Sequence, residues 1–359
     1  MFGRLVVGLM FCYVNIVLAI QKSPLEIVFF NTGQGNLIAV RANDVNPRTQ
    51  KVTSKLIFID CGSTLHAEGR YGKILRNEQR PQNEKLGRLF ENITDYGILI
   101  THNHADHTNL IEAIREISKK GGRRRLVIVR PLSRDGFDAE DPNKRPAMLK
   151  KDWENFCYED LPCIENSLGP RVRVVPMRPE RWKDNGAQNP EHDFNIMYLV
   201  EFAGRRILFP GDVSPQLFTQ IMNVPKYRRE IAAVDFLVLP HHGTNRAGEL
   251  LTFFVKKPEM CIICSNPNEQ QSLPWLDVSN FQFKRWGSVT VREHNISMGM
   301  GKRDGESARV VIRRGVWPLF ATCNAKEGYY ELVVEADGKA TLFDGSTAKR
   351  GGNFCFQSS

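Results

Sequence analysis

The sequence predicts an α/β fold with strands flanked by helices, and three observations predict it. Short apolar runs recur along the chain and alternate with stretches whose apolar residues fall at helical spacing. Turns rich in Gly, Asn and Pro separate the runs, as between strands. Several strands end and ligand-type polar residues begin at once, the way strand ends in layered α/β folds hand over to functional loops. There is no internal repeat and no low-complexity segment, so the units suit one α/β domain.

The elements follow in order. LEIVFF (25–30), NLIAVRA (36–42) and KLIFID (55–60) read as strands joined by turns. YGILIT (96–101) is a buried strand leading straight into a histidine cluster. NLIEAIREI (109–117) has helical spacing, and RRRLVIV (123–129) is a strand behind a basic turn. Residues 131–190 are rich in Pro, Arg, Asp and Glu and poorly periodic, which reads as a long insertion with a strand at RVRVVPM (171–177). NIMYLVEF (195–202) and ILFPGD (207–212) form a hairpin around AGRR. VDFLVLPHHG (234–243) is a strand entering a second His-rich loop, and EMCIICS (259–265) follows after a helix-like piece at 247–255. YYELVVEADGKATLF (329–343) is a hairpin turning at Asp337-Gly338. The expected division is a signal peptide over 1–19, a main domain over 20–315 and a C-terminal β-hairpin extension over 316–359.

The N-terminus reads as an export signal. Arg4 precedes the uncharged run Leu5–Ile20, and VLA at 17–19 supplies the small-residue pattern for cleavage after Ala19. A membrane signal anchor is the alternative, but the run is short for a span and contains Asn15. After cleavage no stable membrane anchor is expected, and the product is secreted or periplasmic. The basic balance, net +9 with 49 Lys plus Arg against 40 Asp plus Glu, favours polyanionic partners such as nucleic acid. The run KKGGRRR (119–125) could grip phosphates, but a solvated turn is the more common explanation. Export permits disulfides, and Cys157 with Cys163 are the best-placed pair. CIIC (261–264) lies in an apolar strand, where side chains i and i+3 point to opposite faces, so core cysteines are expected rather than a redox or zinc motif. NIT at 92 and NIS at 295 are glycosylation sequons, meaningful only on a eukaryotic secretory path.

Three strand-end loops carry the chemistry: ILIT into HNHADH, ILFP into GD, and FLVLP into HHG. Together they offer His102, His104, Asp106, His107, Asp212, His241 and His242. Imidazoles with carboxylates suit zinc, manganese or iron, and their number suits two metals sharing one oxygen ligand. A lone Gly-Asp is usually only a turn and a lone His-His only a polar loop. The cluster at 102–107 is too dense for either explanation.

At these residues the chain resembles a known family. THNHADH (101–107) resembles the HxHxDH signature of the metallo-β-lactamase-fold hydrolases. FFNTGQGNLIAV (29–40), LIFIDCGST (56–64), ILFPGDVS (207–214) and VLPHHGT (238–244) resemble, in order, the entry turn, the Asp-x-Gly strand end, the Gly-Asp turn and the PHHG loop of its competence-protein (ComEC-like) branch. The resemblance implies a four-layer αββα sandwich with two divalent metal ions, Zn2+ or Mn2+, at one edge between the sheets. It implies His102 and His104 on one ion, Asp106 and His107 on the other, Asp212 bridging both, and His242 rather than His241 as the last ligand.

The sequence departs from that branch at three places. Asn36 stands where an Asp is usual. Many family members add a histidine to the first metal from a strand before the Gly-Asp turn; here Asn195 fits the branch's Asn-containing strand, and His192 is either the missing ligand or an exposed loop histidine. SNPNEQQSLPW (265–275) has no His where the branch has Gly-His-Pro. His66 and His294 have no partner pattern and read as surface residues. The expectation is a secreted metal-dependent hydrolase, a phosphodiesterase or nuclease using a metal-activated hydroxide that the catalytic Asp106 orients. The alternatives are a hydrolase of another ester or amide (phosphorylcholine esterase, lactonase or β-lactamase-like) and a non-catalytic binding protein on the same fold.

Overall fold

Alternation along the strands sorts the apolar side chains into faces, and the faces dictate the layers. The computed structural model describes residues 23–33, 35–45, 52–63, 81–102, 104–119, 125–129, 167–179, 195–243, 254, 258–264, 297–299, 309–311, 319–322, 325, 327–345 and 354–356. The first sheet contains β1 (Leu25–Phe30), β2 (Leu37–Val45), β3 (Val52–Cys61), β4 (Ile93–Leu99) and β5 (Arg125–Val129). The second contains β6 (Val172–Met177), β7 (Met197–Phe202), β8 (Arg205–Phe209), β9 (Phe236–Val238) and β10 (Met260–Ile263). A short pair, β11 (Ser297–Gly299) and β12 (Arg309–Val311), stands apart from both. β13 (Leu319–Ala321) joins the second sheet, whereas β14 (Tyr329–Val334), β15 (Ala340–Asp344) and β16 (Phe354–Phe356) join the first.

Among the described residues the first sheet is 8-stranded, in the order β16-β15-β14-β1-β2-β3-β4-β5, and the second 6-stranded, in the order β13-β10-β9-β8-β7-β6. One core lies between the sheets: Ile27, Phe29, Val40 and Ile59 from the first meet Val174, Tyr198, Val200, Phe209 and Ile262 from the second. The opposite face of the first sheet buries Phe30, Phe58 and Ile98 under α1 (Pro81–Leu89) and, beyond the short α2 (Ala105–Thr108), under α3 (Ile111–Lys119). The outer face of the second sheet buries Leu199, Leu208 and Ile263 under α4 (Pro215–Met222) and Ile231 of α5 (Pro225–Ala232). The chain is thus the αββα four-layer sandwich expected for it. The helices have local causes as well. Ser214 caps α4 by accepting from the Leu217 N–H at 3.1 Å, and Pro215 occupies the first turn.

The C-terminal hairpin, expected as an extension, is built into the first sheet. β14 pairs antiparallel along all of β1, from Leu25↔Val334 to Phe30↔Tyr329. β1 is buried on both faces, and without β14 it would leave an unpaired apolar edge. Its turn is the expected one, with Gly338 at φ 84°. CIIC behaves as its strand position dictates: Cys261 faces the helices and Cys264 the inter-sheet core, both buried free thiols. Burial pushes the Cys264 thiol up to about 12, which leaves it inert. Cys157 and Cys163 lie outside the described residues.

Parallel pairing places the functional loops together. β3, β4 and β5 run parallel, as do β8, β9, β10 and β13, so within each sheet the carboxyl ends of these strands share one edge. The two edges are tied to each other. Ile196 N donates to Thr101 O at 2.8 Å, and the Tyr198 hydroxyl donates to Ile100 O at 3.1 Å. Among the described residues no helix is long and apolar enough to cross a membrane.

Candidate metal centre

The centre is assembled from strand ends. Asp60 near the end of β3 is buried and sits at φ 58°, a left-handed conformation that disfavours any residue with a Cβ. Its carboxylate accepts from the Thr101 N–H at 2.7 Å, the Thr101 hydroxyl at 2.8 Å and His107 Nδ1 at 2.7 Å. A carboxylate in this position only accepts, so His107 carries its proton on Nδ1 and turns Nε2 the other way. That Nε2 lies 3.3 Å from Asp212 Oδ1 and 3.9 Å from Asp106 Oδ2.

His242 is oriented by the same logic from the other sheet. Its Nδ1 donates to the Cys264 carbonyl, just past β10, at 2.9 Å. Its Nε2 then lies 3.2 Å from Asp106 Oδ2 and 3.6 Å from Asp212 Oδ1. His241 and His242 both adopt left-handed backbone, at φ 50° and 52°, so the PHHG turn holds two strained non-glycine residues at the site. A bond from His241 N to Gly211 O at 3.0 Å fastens this turn to the Gly-Asp turn.

Asp212 is set by Asn195 and Gly211. Asn195 accepts the Asp212 N–H at 3.0 Å on Oδ1 and donates to Pro210 O at 2.7 Å through Nδ2. Gly211 has φ 59°, and a Cβ there would run into Asn195 Oδ1 and Thr101. His102 Nδ1 lies 3.2 Å from Thr101 Oγ1, whose own proton goes to Asp60; the oxygen therefore accepts from Nδ1–H. His102 Nε2 consequently accepts from His104 Nδ1, 2.9 Å away, and lies 3.8 Å from Asp212 Oδ2.

These contacts resolve into two groups whose ligand atoms lie within 4.8 Å of one another: Asp106, His107, Asp212 and His242, and then His102, His104 and Asp212. Asp212 is common to both. The residues fit a divalent cation by a test independent of any resemblance. His107 Nε2 and His242 Nε2 are buried and have no aligned hydrogen-bond partner. With Nδ1 committed elsewhere, each Nε2 faces carboxylate oxygens, a place that calls for positive charge, which either a proton or a divalent cation supplies.

Electrostatics point the same way. Burial acts to lower the basicity of His107, but the charges of Asp212, Asp60 and Asp106 overcome it and raise its pKa well above the ordinary histidine value. His242 is raised likewise, against burial, by Asp212 and Asp106. Burial acts to raise the Asp106 carboxyl, yet His107 and His242 beside it bring it down to about 2. Asp212 is held well below the usual carboxylate range, against burial, by His242, His107 and His241. The carboxylates therefore favour positive charge among them, carried in the metal-free centre by protons on the imidazoles, which a bound cation would replace.

The structure brings His102, His104, Asp106, His107, Asp212 and His242 together. His241 stands at their side, partly exposed, with Nε2 3.7 Å from Asp212 Oδ2; burial, the largest influence, lowers its pKa. Asn195 lies behind the Gly-Asp turn with both ends of its amide engaged. His192, His66, His294 and residues 120–124 of the basic run lie outside the described residues. Sequence reasoning left Asp60 and Thr101 without a role. The available signal was an Asp at a strand end, immediately before Cys-Gly in IDCG, a place where a buried acid needs partners.

No family model matches the chain, and no curated protein matches it in sequence. Solved structures do match it in shape. One is the metallo-β-lactamase fold protein YhfI from Bacillus subtilis, at 11% identity and TM-score 0.33, over 64% of this chain and 93% of that one. A diphosphatase from the PhnP family matches at 15% identity and TM-score 0.32, over 65% and 74%. A HARLDQ-motif mutant of a metallo-β-lactamase from Cronobacter sakazakii matches at 17% identity and TM-score 0.31, over 56% and 70%. Similarity to the competence-protein branch rests on the sequence motifs alone.

Proposed function

We propose that this chain is a secreted hydrolase of phosphodiesters, with nucleic acid as its substrate class, working with two divalent ions, Zn2+ or Mn2+. The observation that carries the reading is Asp212, a buried carboxylate shared by two groups of imidazole and carboxylate ligands. His102, His104 and Asp212 would hold one ion, and Asp106, His107, Asp212 and His242 the other. When bound, such a pair lowers the pKa of water toward about 7 and neutralises charge gathering on a phosphoryl group. The rest is the work of the chain. Asp106, ionised at neutral pH, is the partly exposed carboxylate of the centre, placed to orient the attacking water and take its proton. Asp60 and the Cys264 carbonyl fix the tautomers of His107 and His242, so neither ring must turn during the reaction. His241, open to solvent on one side, is placed to touch substrate rather than to complete the ligand set. The net charge of +9 favours a polyanion as the diester.

The test is a screen of purified mature protein against single-stranded DNA, duplex DNA, RNA and bis-p-nitrophenyl phosphate, with Zn2+ and Mn2+ supplied separately. Diester cleavage that a chelator abolishes and either ion restores is expected. Cleavage confined to a lactone, a lactam or a carboxylic ester would replace this reading. Protein that retains metal and hydrolyses none of these would be a binding protein on the same fold.

A further inference from the structure

We infer that the two halves of the centre fill in order: the first ion enters between Asp106, His107 and His242, and the half built on His102 and His104 is occupied only at higher metal concentration. This rests on the two-ion reading above and goes beyond it. The two halves differ in how each is arranged before metal arrives. In the first, His107 Nε2 and His242 Nε2 are already turned inward, locked from behind by Asp60 and the Cys264 carbonyl, and have no aligned hydrogen bond to lose. An ion there meets two rings that need not turn to receive it. In the second, the corresponding nitrogens satisfy each other: His104 Nδ1 donates to His102 Nε2 at 2.9 Å. An ion held by both rings must break that bond.

The ligand sets differ in the same direction. Among the described residues the first half offers two carboxylates and two imidazoles, the second one carboxylate and two imidazoles. Asn195, one of the further ligands the sequence offered, is committed on both ends of its amide to the Gly-Asp turn. The consequence is a protein that carries one ion when metal is scarce, with the second ion gating turnover.

The experiment uses metal-free full-length mature chain, titrated with Mn2+ by calorimetry, with bound Mn2+ per chain counted after rapid desalting. Two phases are expected, the first tighter by about tenfold or more, the scale on which pre-oriented ligands change metal affinity. His104→Ala should abolish the second phase and keep the first. His242→Gln should weaken the first. His192→Ala should leave the first phase unchanged. Thermal unfolding of the metal-free variants checks that each is folded, and His104→Gln serves if the alanine variant is not. Two ions of equal affinity, or loss of the tight ion in His104→Ala, would overturn the order of filling while leaving the two-ion reading standing. If the wild-type chain binds no Mn2+ and no Zn2+, both fall.

Discussion

Asp106 and His242 meet across the centre from different sheets, 3.2 Å apart, and each offers an inward-facing atom to the same candidate ligand group. Asp106→Asn keeps the shape but removes the charge and the proton acceptor, and His242→Ala removes a neutral nitrogen donor. Both are expected to cut turnover by orders of magnitude and to lower bound metal, with the fold intact, because loop ligands are not core. His241→Ala should be milder on both counts, since its nitrogen lies beside Asp212 and outside the ligand group. Rates and metal content of the three variants compare directly; metal lost from His241→Ala and kept in His242→Ala would reverse the assignment in this loop. At this scale the candidate ligands were legible because dense His and Asp in one short loop has no structural excuse. Asp60 was visible only as the acid of a strand end, and its role in orienting His107 appears only when β3 and β4 lie side by side.

Elements matter here as stacked loops. The β1–β2 turn lies on the loop after β3, which lies on the histidine loop: Gly62 N donates to Asn36 O at 2.8 Å, Asn36 N to Asp106 O at 3.1 Å, and Leu110 N to Cys61 O at 2.8 Å. A Cβ at Gly62 would collide with the Asp106 carbonyl and His107 N, which are backbone and cannot swing aside. Gly62→Ala should therefore displace two ligands at once and lose bound metal far beyond what a surface Gly→Ala change does; full metal content in a folded Gly62→Ala protein would refute the stacking argument. The strands around these loops were legible from apolar runs: β1 over Leu25–Phe30 and β6 over Val172–Met177 follow their patterns closely. The helices were read less well. α1 (PQNEKLGRL) and α5 (PKYRREIA) bury few apolar residues, so neither carries a strong helical period; it is packing against a sheet that fixes them.

Over the whole molecule the sandwich is pinned at the end away from the metal centre. Arg205, buried at the start of β8, donates to both oxygens of Glu259 at 2.7 and 3.1 Å and to the Gly338 carbonyl of the C-terminal hairpin at 2.7 Å. It therefore joins the two sheets, which explains how a hairpin far along the chain belongs to the first sheet's core. Arg205→Met leaves Glu259 without its partner and should cost about 3 kcal/mol, read by urea denaturation, with metal content unchanged; an unaltered midpoint would show that the hairpin is held by packing alone. That long-range role was invisible in sequence, because charge pairing across widely separated positions has no spacing rule. Export remains our proposal from the apolar N-terminal run, and N-terminal sequencing of secreted material, expected to begin near Ile20, decides it. The central claim is that Asp212 is shared by two cations, and anomalous diffraction from crystals grown with Mn2+ tests it most directly. The account predicts two peaks flanking the Asp212 carboxylate, one contacted by Asp106, His107 and His242 and the other by His102 and His104; a single peak, or peaks away from Asp212, would contradict it.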